Sequence, residues 1–403
     1  MMSPSQPFTP RLFRHDVWAL ETMAPMYCHH FEAQRCGSCT LLRTPYQQQL
    51  ANKVEHARTL LASYQGIQWL PAIPSAEQAF RNKAKMVVTG SIDAPVLGIL
   101  DAQQNGIDLH DCPLYDEPMH DLLQALTAFI TTARIQPYDL HSRRGELKYV
   151  LVTQSPDSEY MVRFVSRSQE PVTRLRKHLP TFLAAYPHVK VFSVNIQPEH
   201  KAILEGPQEI VLTEQETLTM RVNGVPLHVR PQSFFQTNTP IAAALYEQAR
   251  TWLADDVPAH VWDLFCGVGG FALHLAPHAH TVTGIEISAD AIASAQQTAD
   301  MLGISNLRFD ALDATAFSRA YDAAQHSESP DVIVVNPPRR GIGEELARFL
   351  ETSTAHTLVY SSCNAVTLAQ DLAFMPSMRP VEAESPRYVP AHDTLRSDCF
   401  VAS

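Results

Sequence analysis

The sequence predicts an α/β protein whose C-terminal part is a Rossmann-like, doubly wound parallel sheet, preceded by an α+β central module and a small cysteine-rich N-terminal segment. Three observations predict this architecture. Strand-like apolar runs alternate with helix-like stretches after about residue 239, which is typical of parallel sheets. A glycine-rich loop at 263–270 follows one of these strands and opens a helix. Asn336 and Cys363 each follow a later strand, at the edge where α/β sheets bind ligands.

The composition is that of a globular protein. The chain has 403 residues, of which 45% are hydrophobic and 18% charged, with a net charge of -11. This length indicates two or three domains. No window approaches eighteen uninterrupted apolar residues, and the first ten residues lack the basic-then-apolar layout of a secretory signal. We therefore expect a cytoplasmic protein without membrane spans.

The N-terminal segment, residues 1–60, is defined by its cysteines. The odd total of seven argues against a disulfide framework. Cys28, Cys36 and Cys39 stand close together, and Cys112 lies far downstream. Four thiolates satisfy either an iron–sulfur cluster or a structural zinc ion. Zinc sites more often use two paired Cys-x2-Cys units, so the single pair favours iron–sulfur without deciding it; unligated thiols are the third reading.

The central module, residues 61–235, combines helices with short strands. Its basic part runs from Thr131 to Lys190, with ten lysines and arginines against five acids. Such a surface suits phosphate contacts, but an ordinary solvated face would have the same composition. Asn223-Gly224 is a two-residue hairpin turn. The predicted helices are 46–62, 117–135 and 171–186, and the predicted strands include 86–88, 96–100, 148–153, 161–165 and 189–196.

The C-terminal domain, residues 236–403, contains a predicted cofactor cleft. Glycines in the 263–270 loop allow a ligand to approach the backbone closely. Glu286 follows Gly267 by nineteen residues and ends a strand, so its carboxylate can accept hydrogen bonds from ribose hydroxyls. A dinucleotide and S-adenosylmethionine both fit this pattern. The predicted strands are 260–265, 281–286, 307–309, 331–335 and 357–361.

The run Asn336-Pro337-Pro338 narrows the cofactor. Two prolines fix the backbone directly after a strand, which holds the asparagine side chain and nearby carbonyls toward the cleft. The run resembles the Asp/Asn-Pro-Pro motif of class I S-adenosylmethionine-dependent methyltransferases. A rigid structural turn is the alternative.

Cys363 differs from the other C-terminal cysteines by its position. It ends a strand and precedes a helix-like stretch at 364–373, and a helix N-terminus stabilises a thiolate. Methyl transfer to nitrogen or oxygen needs no thiol. Methylation of a pyrimidine at C5 does, because addition of a thiolate to C6 makes C5 nucleophilic. Cys266 and Cys399 are predicted to be structural.

These motifs together resemble the iron–sulfur RNA (uracil-5-)methyltransferases, over nearly the whole chain. In that case Gln236, Phe265, Glu286 and Asn336 contact S-adenosylmethionine, and Cys363 is the nucleophile. The cysteines at 28, 36, 39 and 112 would ligate a [4Fe–4S] cluster. The motifs that carry the resemblance are the four cysteines, residues 80–85, residues 233–238, the glycine loop, residues 336–341 and residues 361–364.

Two features favour one branch of this family. The cysteine cluster starts at Cys28, so we expect the N-terminal TRAM domain of some relatives to be missing, and asparagine rather than aspartate precedes Pro-Pro. In both features the chain resembles the branch of the family that methylates the uridine at position 747 of 23S ribosomal RNA. The resemblance therefore implies 23S ribosomal RNA as partner, with a monomer and no obligate protein partner. Arg81, Lys83, Lys85 and the basic part of the central module are then the expected phosphate contacts.

The sequence departs from the family near its C-terminus. The glutamate that removes the C5 proton in the family corresponds, without gaps, to Arg396. One inserted residue brings Asp398 to that position, and we take Asp398 as the base; Asp393 and His392 are the two remaining candidates. The altered motif also leaves a noncatalytic RNA-binding iron–sulfur protein open. Methylation of a different uridine in ribosomal or transfer RNA stays open too, as does N-methylation, which would leave Cys363 without a task.

Overall fold

The computed structural model describes residues 26–254, 257–321, 329–387 and 398–402, with backbone only for 385–387 and 398–402. The first ten residues, on which the prediction about a secretory signal depends, lie outside these ranges. In the described ranges, no helix has both the length and the apolar character needed to span a bilayer.

The N-terminal part is short and irregular and then enters a long helix. Its elements are α1 (His29–Glu32), α2 (Tyr46–Leu60) and β1 (Gln68–Leu70). Helix α2 begins after Pro45, which fits because proline cannot donate within a helix. Ala57 on α2 and Leu61 after it pack into a core cluster of the C-terminal domain. Residues 46–70 are thus joined to that domain by packing.

The central module is one mixed sheet covered by two helices. The strand order is β4-β3-β2-β5-β6-β7-β8, antiparallel except for β6 and β7, which α4 connects. Its elements are β2 (Lys83–Gly90), β3 (Pro95–Leu100), β4 (Gly106–Asp108), α3 (Glu117–Thr132), β5 (Leu147–Gln154), β6 (Tyr160–Ser166), α4 (Val172–Ala185), β7 (Val189–Ile196) and β8 (Gln208–Val211).

The two faces of this sheet have different partners. Val150 and Val162 point to the helix-covered face, where Leu126 of α3 and Leu179 of α4 complete a buried core. Burying each such side chain contributes about 1.5–3 kcal/mol. The opposite face is termed the outer face. There Met161 packs into a core cluster of the C-terminal domain, so the outer face is the one turned toward that domain.

The C-terminal domain contains an eight-stranded sheet in the order β1-β16-β17-β15-β14-β11-β12-β13. Strands β12, β11, β14 and β15 are neighbours in this order and run parallel to one another. Strand β17 is antiparallel to both β15 and β16. Its elements are β9 (Leu218–Val222), β10 (Val225–Val229), α5 (Thr239–Trp252), β11 (His260–Leu264), α6 (Gly270–Leu275), β12 (Thr281–Glu286), α7 (Ala289–Leu302), β13 (Leu307–Ala311), α8 (Ala314–Ala320), β14 (Val332–Val335), α9 (Gly343–Glu351), β15 (Thr357–Ser362), α10 (Ala365–Ala373), β16 (Glu382–Arg387) and β17 (Asp398–Ala402).

This order confirms the predicted doubly wound sheet. The chain moves outward from β11 to β13 and then returns to place β14 on the other side of β11. Such a reversal opens a crevice at the carboxyl ends of the strands. The crevice is therefore bordered by β11, β12 and β14, the strands whose ends carry the predicted site residues.

The packing differs from the predicted division of the chain at two places. Strand β1 pairs in parallel with β16, within the C-terminal sheet. The hairpin β9–β10, with Asn223 and Gly224 at its turn, packs through Leu227 and Val229 into the C-terminal core cluster. Both segments have apolar faces that the central sheet, already covered by α3 and α4, leaves unburied.

Candidate active site

Four predicted site residues lie at the carboxyl ends of four neighbouring strands. Phe265 directly follows β11, Glu286 ends β12, Asn336 directly follows β14 and Cys363 directly follows β15. These strands stand in the order β15-β14-β11-β12. Because neighbouring strands are about 4.8 Å apart, the row spans about 14 Å. The fold thus brings the thiol onto the same edge as the predicted cofactor residues.

The turn after β11 is held in an unusual backbone conformation. Phe265 is half-buried and has φ 66°, a left-handed conformation that costs a non-glycine residue about 1–3 kcal/mol. Gly269 has φ 81°, and a Cβ there would lie 2.9 Å from the Phe309 ring. The turn therefore requires glycine at 269, where α6 begins.

Glu286 is tied to the glycine loop. One carboxylate oxygen accepts a hydrogen bond from the Gly267 amide at 3.2 Å, and the other accepts one from the Ser288 amide at 3.0 Å. Each carboxylate oxygen can accept more than one hydrogen bond. The half-buried group is thus fixed in place and can still accept hydrogen bonds from a diol.

Sequence reasoning missed Asp263, which lies within β11. One of its oxygens accepts a hydrogen bond from the Ala272 amide at 2.9 Å, linking the strand to α6. The other oxygen is buried without a partner among the described residues. Burial is the main cause that raises the pKa of Asp263 to about 8, so the protonated form prevails at neutral pH.

Gln236 is positioned by a residue of the central module. Asn82 is buried just before β2, and its side-chain amide donates to the Gln236 carbonyl at 2.9 Å and to the Thr239 hydroxyl at 2.8 Å. Its backbone amide donates to the Thr237 carbonyl at 2.9 Å. The motif at 80–85 carries part of the family resemblance, but the sequence alone does not indicate what Asn82 does. In the structure, Asn82 joins the central module to the loop of the C-terminal domain that carries Gln236.

The turn that carries Cys363 is linked to the Pro-Pro loop. Asn364 caps α10, because its side-chain oxygen accepts from the Val366 amide at 3.1 Å. Its side-chain amide donates to the Arg339 carbonyl at 3.3 Å, and the Thr367 hydroxyl donates to the same carbonyl at 3.2 Å. The half-buried thiol therefore lies at the positive end of α10, next to a loop that is hydrogen-bonded to the same turn.

Asp371, also missed from the sequence, completes this link. Its buried carboxylate accepts from the Ile342 amide at 2.9 Å, the Gly343 amide at 3.1 Å and the Tyr360 hydroxyl at 2.6 Å. Burial and the Asp371 charge raise the pKa of Tyr360. Asp371 thus joins α10, β15 and the end of the Pro-Pro loop.

We expect Asp371→Ala to lower the free energy of unfolding by about 3 kcal/mol, because three donors, two of them buried, lose their acceptor. Tyr360→Phe is the matched control and removes only one of them, which costs about 1 kcal/mol. Urea unfolding measures both. Equal losses in the two variants would show that Asp371 does not hold the loop as described.

The predicted base Asp398 begins β17, which lies beside β15. Ser362 pairs with Cys399 in this antiparallel ladder. The ladder ends at this pair, and Cys363 directly follows Ser362 while Asp398 directly precedes Cys399. The side chains of Asp398 and Cys399 lie outside the described part of the chain, as do His392, Asp393 and Arg396.

The four N-terminal cysteines line one cavity of about 200 Å³. Burial, followed by repulsion among the thiolates, raises the pKa of Cys39 to about 12; burial raises the pKa of Cys112 to about 11. Both are neutral thiols unless a metal displaces the protons. In the described part of the chain, no three of these sulfurs lie within 4.8 Å of one another. A zinc ion with Zn–S bonds of about 2.3 Å needs sulfurs about 3.8 Å apart.

Two buried polar atoms border this cavity. His30 forms a hydrogen bond through Nε2 with Asp111 at 2.7 Å, which joins the segment of Cys28 to that of Cys112. The His30 Nδ1 and Arg81 Nε atoms are buried without a partner among the described residues, and both residues line the cavity. The Arg81 Nε–H is an unpaired donor, which fits an anionic, sulfur-rich group.

The strand order, the crevice at its reversal and the row of residues on four strand ends define a class I methyltransferase domain. A family model described as tRNA (Uracil-5-)-methyltransferase matches residues 45–383. Relatives at about half identity span nearly all of the chain. The chain therefore belongs to the RNA (uracil-5-)methyltransferase family, as the resemblance predicted.

Two relatives are both named 23S rRNA (uracil(747)-C(5))-methyltransferase. The one from Halothiobacillus neapolitanus is 52% identical over 361 residues, covering 89% of this chain and 94% of the relative. The one from Vibrio cholerae is 49% identical over 353 residues, covering 87% and 93%. Among solved structures, the Pyrococcus abyssi tRNA (uracil-54, C5)-methyltransferase in complex with S-adenosyl-L-homocysteine has a TM-score of 0.73. It is 22% identical and covers 91% of this chain and 84% of its own, so the likeness is one of fold.

Proposed function

We propose that this protein transfers a methyl group from S-adenosylmethionine to C5 of the uridine at position 747 of 23S ribosomal RNA, in the cytoplasm. The names of relatives at 52% and 49% identity support the substrate. The observation that carries the proposal is the alignment of Cys363 with Asn336, Phe265 and Glu286 on one sheet edge. A thiol on that edge has a role in C5 methylation and none in simple methyl transfer to nitrogen.

The cofactor residues have distinct parts in this proposal. Glu286, held by two backbone amides, accepts hydrogen bonds from the ribose hydroxyls. Phe265 and Gln236 are further proposed cofactor contacts, and Asn336 follows the strand that lies between those of Phe265 and Cys363. S-adenosylmethionine supplies the electrophilic methyl group when bound.

The uridine must leave its stack to reach this edge. The Cys363 sulfur then adds to C6, and the electron pair released at C5 takes the methyl group. A base removes the C5 proton, the C5–C6 double bond re-forms and the thiolate leaves. We assign the base to Asp398, whose neighbour Cys399 pairs with Ser362, the residue before Cys363. Phe234 is 69% exposed beside Gln236 while Phe235 is buried, so Phe234 is the ring available for stacking on a splayed base.

We assign a separate function to each of the three predicted domains. Residues 1–60, with Cys112, hold the metal cluster; residues 61–235 bind RNA; residues 236–403 perform the reaction. Helix α2, β1 and the β9–β10 hairpin support the catalytic sheet by packing. In this proposal the protein acts as a monomer, without an obligate protein partner.

A [4Fe–4S] cluster is the proposed occupant of the cysteine cavity, with Cys28, Cys36, Cys39 and Cys112 as ligands. No three of these sulfurs lie within 4.8 Å of one another among the described residues, which favours a cluster over a single zinc ion; the unpaired Arg81 donor fits the negative charge of such a group. When bound, the cluster ties the N-terminal segment to the loop before α3. No step of methyl transfer passes through it.

We expect Cys39→Ser to lose the brown colour and most of the iron. The purified wild-type protein should contain about four iron and four sulfide per chain. Cys266→Ala is the matched control, because Cys266 is equally buried but lies in the catalytic domain, and it should retain the iron. A colourless wild-type protein with about one zinc per chain would overturn the cluster assignment.

The test of the function is methylation of RNA by the purified protein with labelled S-adenosylmethionine. Mapping by nuclease digestion and mass spectrometry should place 5-methyluridine at position 747 of 23S ribosomal RNA. Methylation of transfer RNA or of another ribosomal uridine would retain the chemistry and reject the site. Methylation on nitrogen would reject the proposed mechanism.

A further inference from the structure

A groove of about 600 Å³ lies on the outer face of the central sheet, away from the cofactor residues. Its floor includes Val87 of β2 and Tyr149 of β5, which pair across the two strands. The exposed Asn105 side chain and the Tyr138 ring stand at its walls, and His141 and Lys201 stand at its rim. Aromatic, amide and cationic groups of this kind recognise single-stranded nucleic acid.

The groove and the active site are connected along β2. Asn82, just before this strand, donates to the Gln236 carbonyl at the cleft, and Val87 is five residues further on. At about 3.3 Å per residue the separation is about 17 Å, the reach of a few nucleotides. Lys85 lies between them on β2 and is exposed, but it lines the cysteine cavity and is not counted with the groove.

The charges near the groove distinguish it from the rest of the basic segment. Of the ten cations between 131 and 190, five form ion pairs and Lys148 donates to the Gln197 and Glu199 carbonyls. In the described ranges, Arg143, Arg144, Arg176 and Lys177 have no acidic partner. All four are exposed.

These four residues belong to two different elements. Arg143 and Arg144 belong to the loop that also carries His141 at the groove rim, and the Asp139 amide donates to the Arg144 carbonyl at 2.8 Å across that loop. Arg176 and Lys177 lie on α4, which covers the other face. We therefore expect RNA contacts from the loop that carries Arg143 and Arg144, and not from α4.

The acids beside the groove are already engaged. The Asp139 carboxylate accepts a hydrogen bond from the Ser142 amide at 2.6 Å. Glu199 forms an ion pair with Lys201. The Asp139 carboxylate keeps its charge, but Arg143 and Arg144 of the same loop outnumber it, so this loop carries net positive charge, which is complementary to phosphate.

We propose that this groove binds the single-stranded RNA next to the target uridine. One splayed base stacks on Tyr149 at the floor, and Arg143 and Arg144 contact the phosphates on either side of it. The proposal rests on the proposed function, because it takes the RNA that presents the uridine as its ligand. It adds a second contact that sets RNA affinity without touching the reacting atoms.

The double variant Arg143→Ala/Arg144→Ala tests the proposal, with Arg176→Ala/Lys177→Ala as the matched control. Both pairs are exposed, adjacent and cationic, but only Arg143 and Arg144 lie in the loop that lines the groove. The probe is a 23S ribosomal RNA fragment around position 747, and its Kd is measured over a range of salt concentrations. Two lost phosphate contacts on a single strand reduce the slope of log K against log salt by about 1.4. The control should keep the wild-type slope.

Methylation kinetics give a second readout. The groove variant should raise KM for RNA at least about tenfold with kcat unchanged, because it loses binding made equally in the ground state and the transition state. Tyr149→Leu, which keeps an apolar floor, should weaken RNA binding about fivefold or more through lost stacking.

Three outcomes would overturn the groove assignment. The groove variant could bind RNA with the wild-type slope and Kd, the control could lose as much as the groove variant, or kcat alone could fall. Failure of the proposed function looks different, because the wild-type protein would then neither bind nor methylate the fragment, and the groove assignment would fall with it.

Discussion

Cys363→Ala should abolish methylation of uridine, with a loss of about 10⁴-fold or more in kcat. The expected size is that of removing a nucleophile that a whole reaction sequence needs. Without the sulfur, C5 of the pyrimidine has no electron pair to offer the methyl group. Release of labelled product from S-adenosylmethionine measures the loss directly.

Binding must survive in this variant for the result to bear on mechanism. The side chain follows β15 and makes no part of the predicted cofactor contacts, so affinities for S-adenosylhomocysteine and for the RNA fragment should stay within about threefold of wild type. Cys266→Ala is the matched control, since Cys266 is a buried cysteine on the neighbouring glycine loop. Substantial turnover by Cys363→Ala would remove the thiol from the chemistry.

Asp398→Asn should slow the reaction by about 10²–10⁴-fold, the range expected for loss of a general base. The block falls after methyl transfer, so the enzyme should accumulate as a covalent adduct with methylated RNA. Denaturing gel electrophoresis of a reaction with ordinary, unmodified RNA detects this adduct. Wild-type enzyme should show it only transiently.

Asp393→Asn is the control for this assignment, because Asp393 is the neighbouring carboxylate in the altered C-terminal motif. It should turn over normally. If Asp393→Asn accumulates the adduct and Asp398→Asn does not, the base is Asp393 and the inserted residue in the motif lies elsewhere.

The parallel strands could be predicted from the sequence because each is a short apolar run between turn signals. Val332–Val335 is an unbroken buried run, and strands covered on both faces read in this way. The row of Phe265, Glu286, Asn336 and Cys363 followed from the same logic, since each residue ends or closely follows a predicted strand. Local pattern and overall fold agree at these positions.

The residues that hold the row together could not be predicted, because their partners are distant in sequence. Asn82 contacts Gln236 across 154 residues, and Asp371 contacts Ile342 across 29. A single Asn or Asp has no periodicity to reveal it. Strand β17 was missed for a related reason: it pairs with β15 and β16 only through the tertiary fold, and the chain before it carries no apolar alternation.

The most direct test of the central claim is to identify the residue that bonds to the substrate. RNA with 5-fluorouridine at the target position should trap the enzyme, because fluorine at C5 cannot leave as the proton does. After digestion, mass spectrometry should find the methylated fluoropyrimidine attached to the peptide that contains Cys363, through its sulfur. An adduct on any other residue, or methylation of the target with no adduct, would contradict the account.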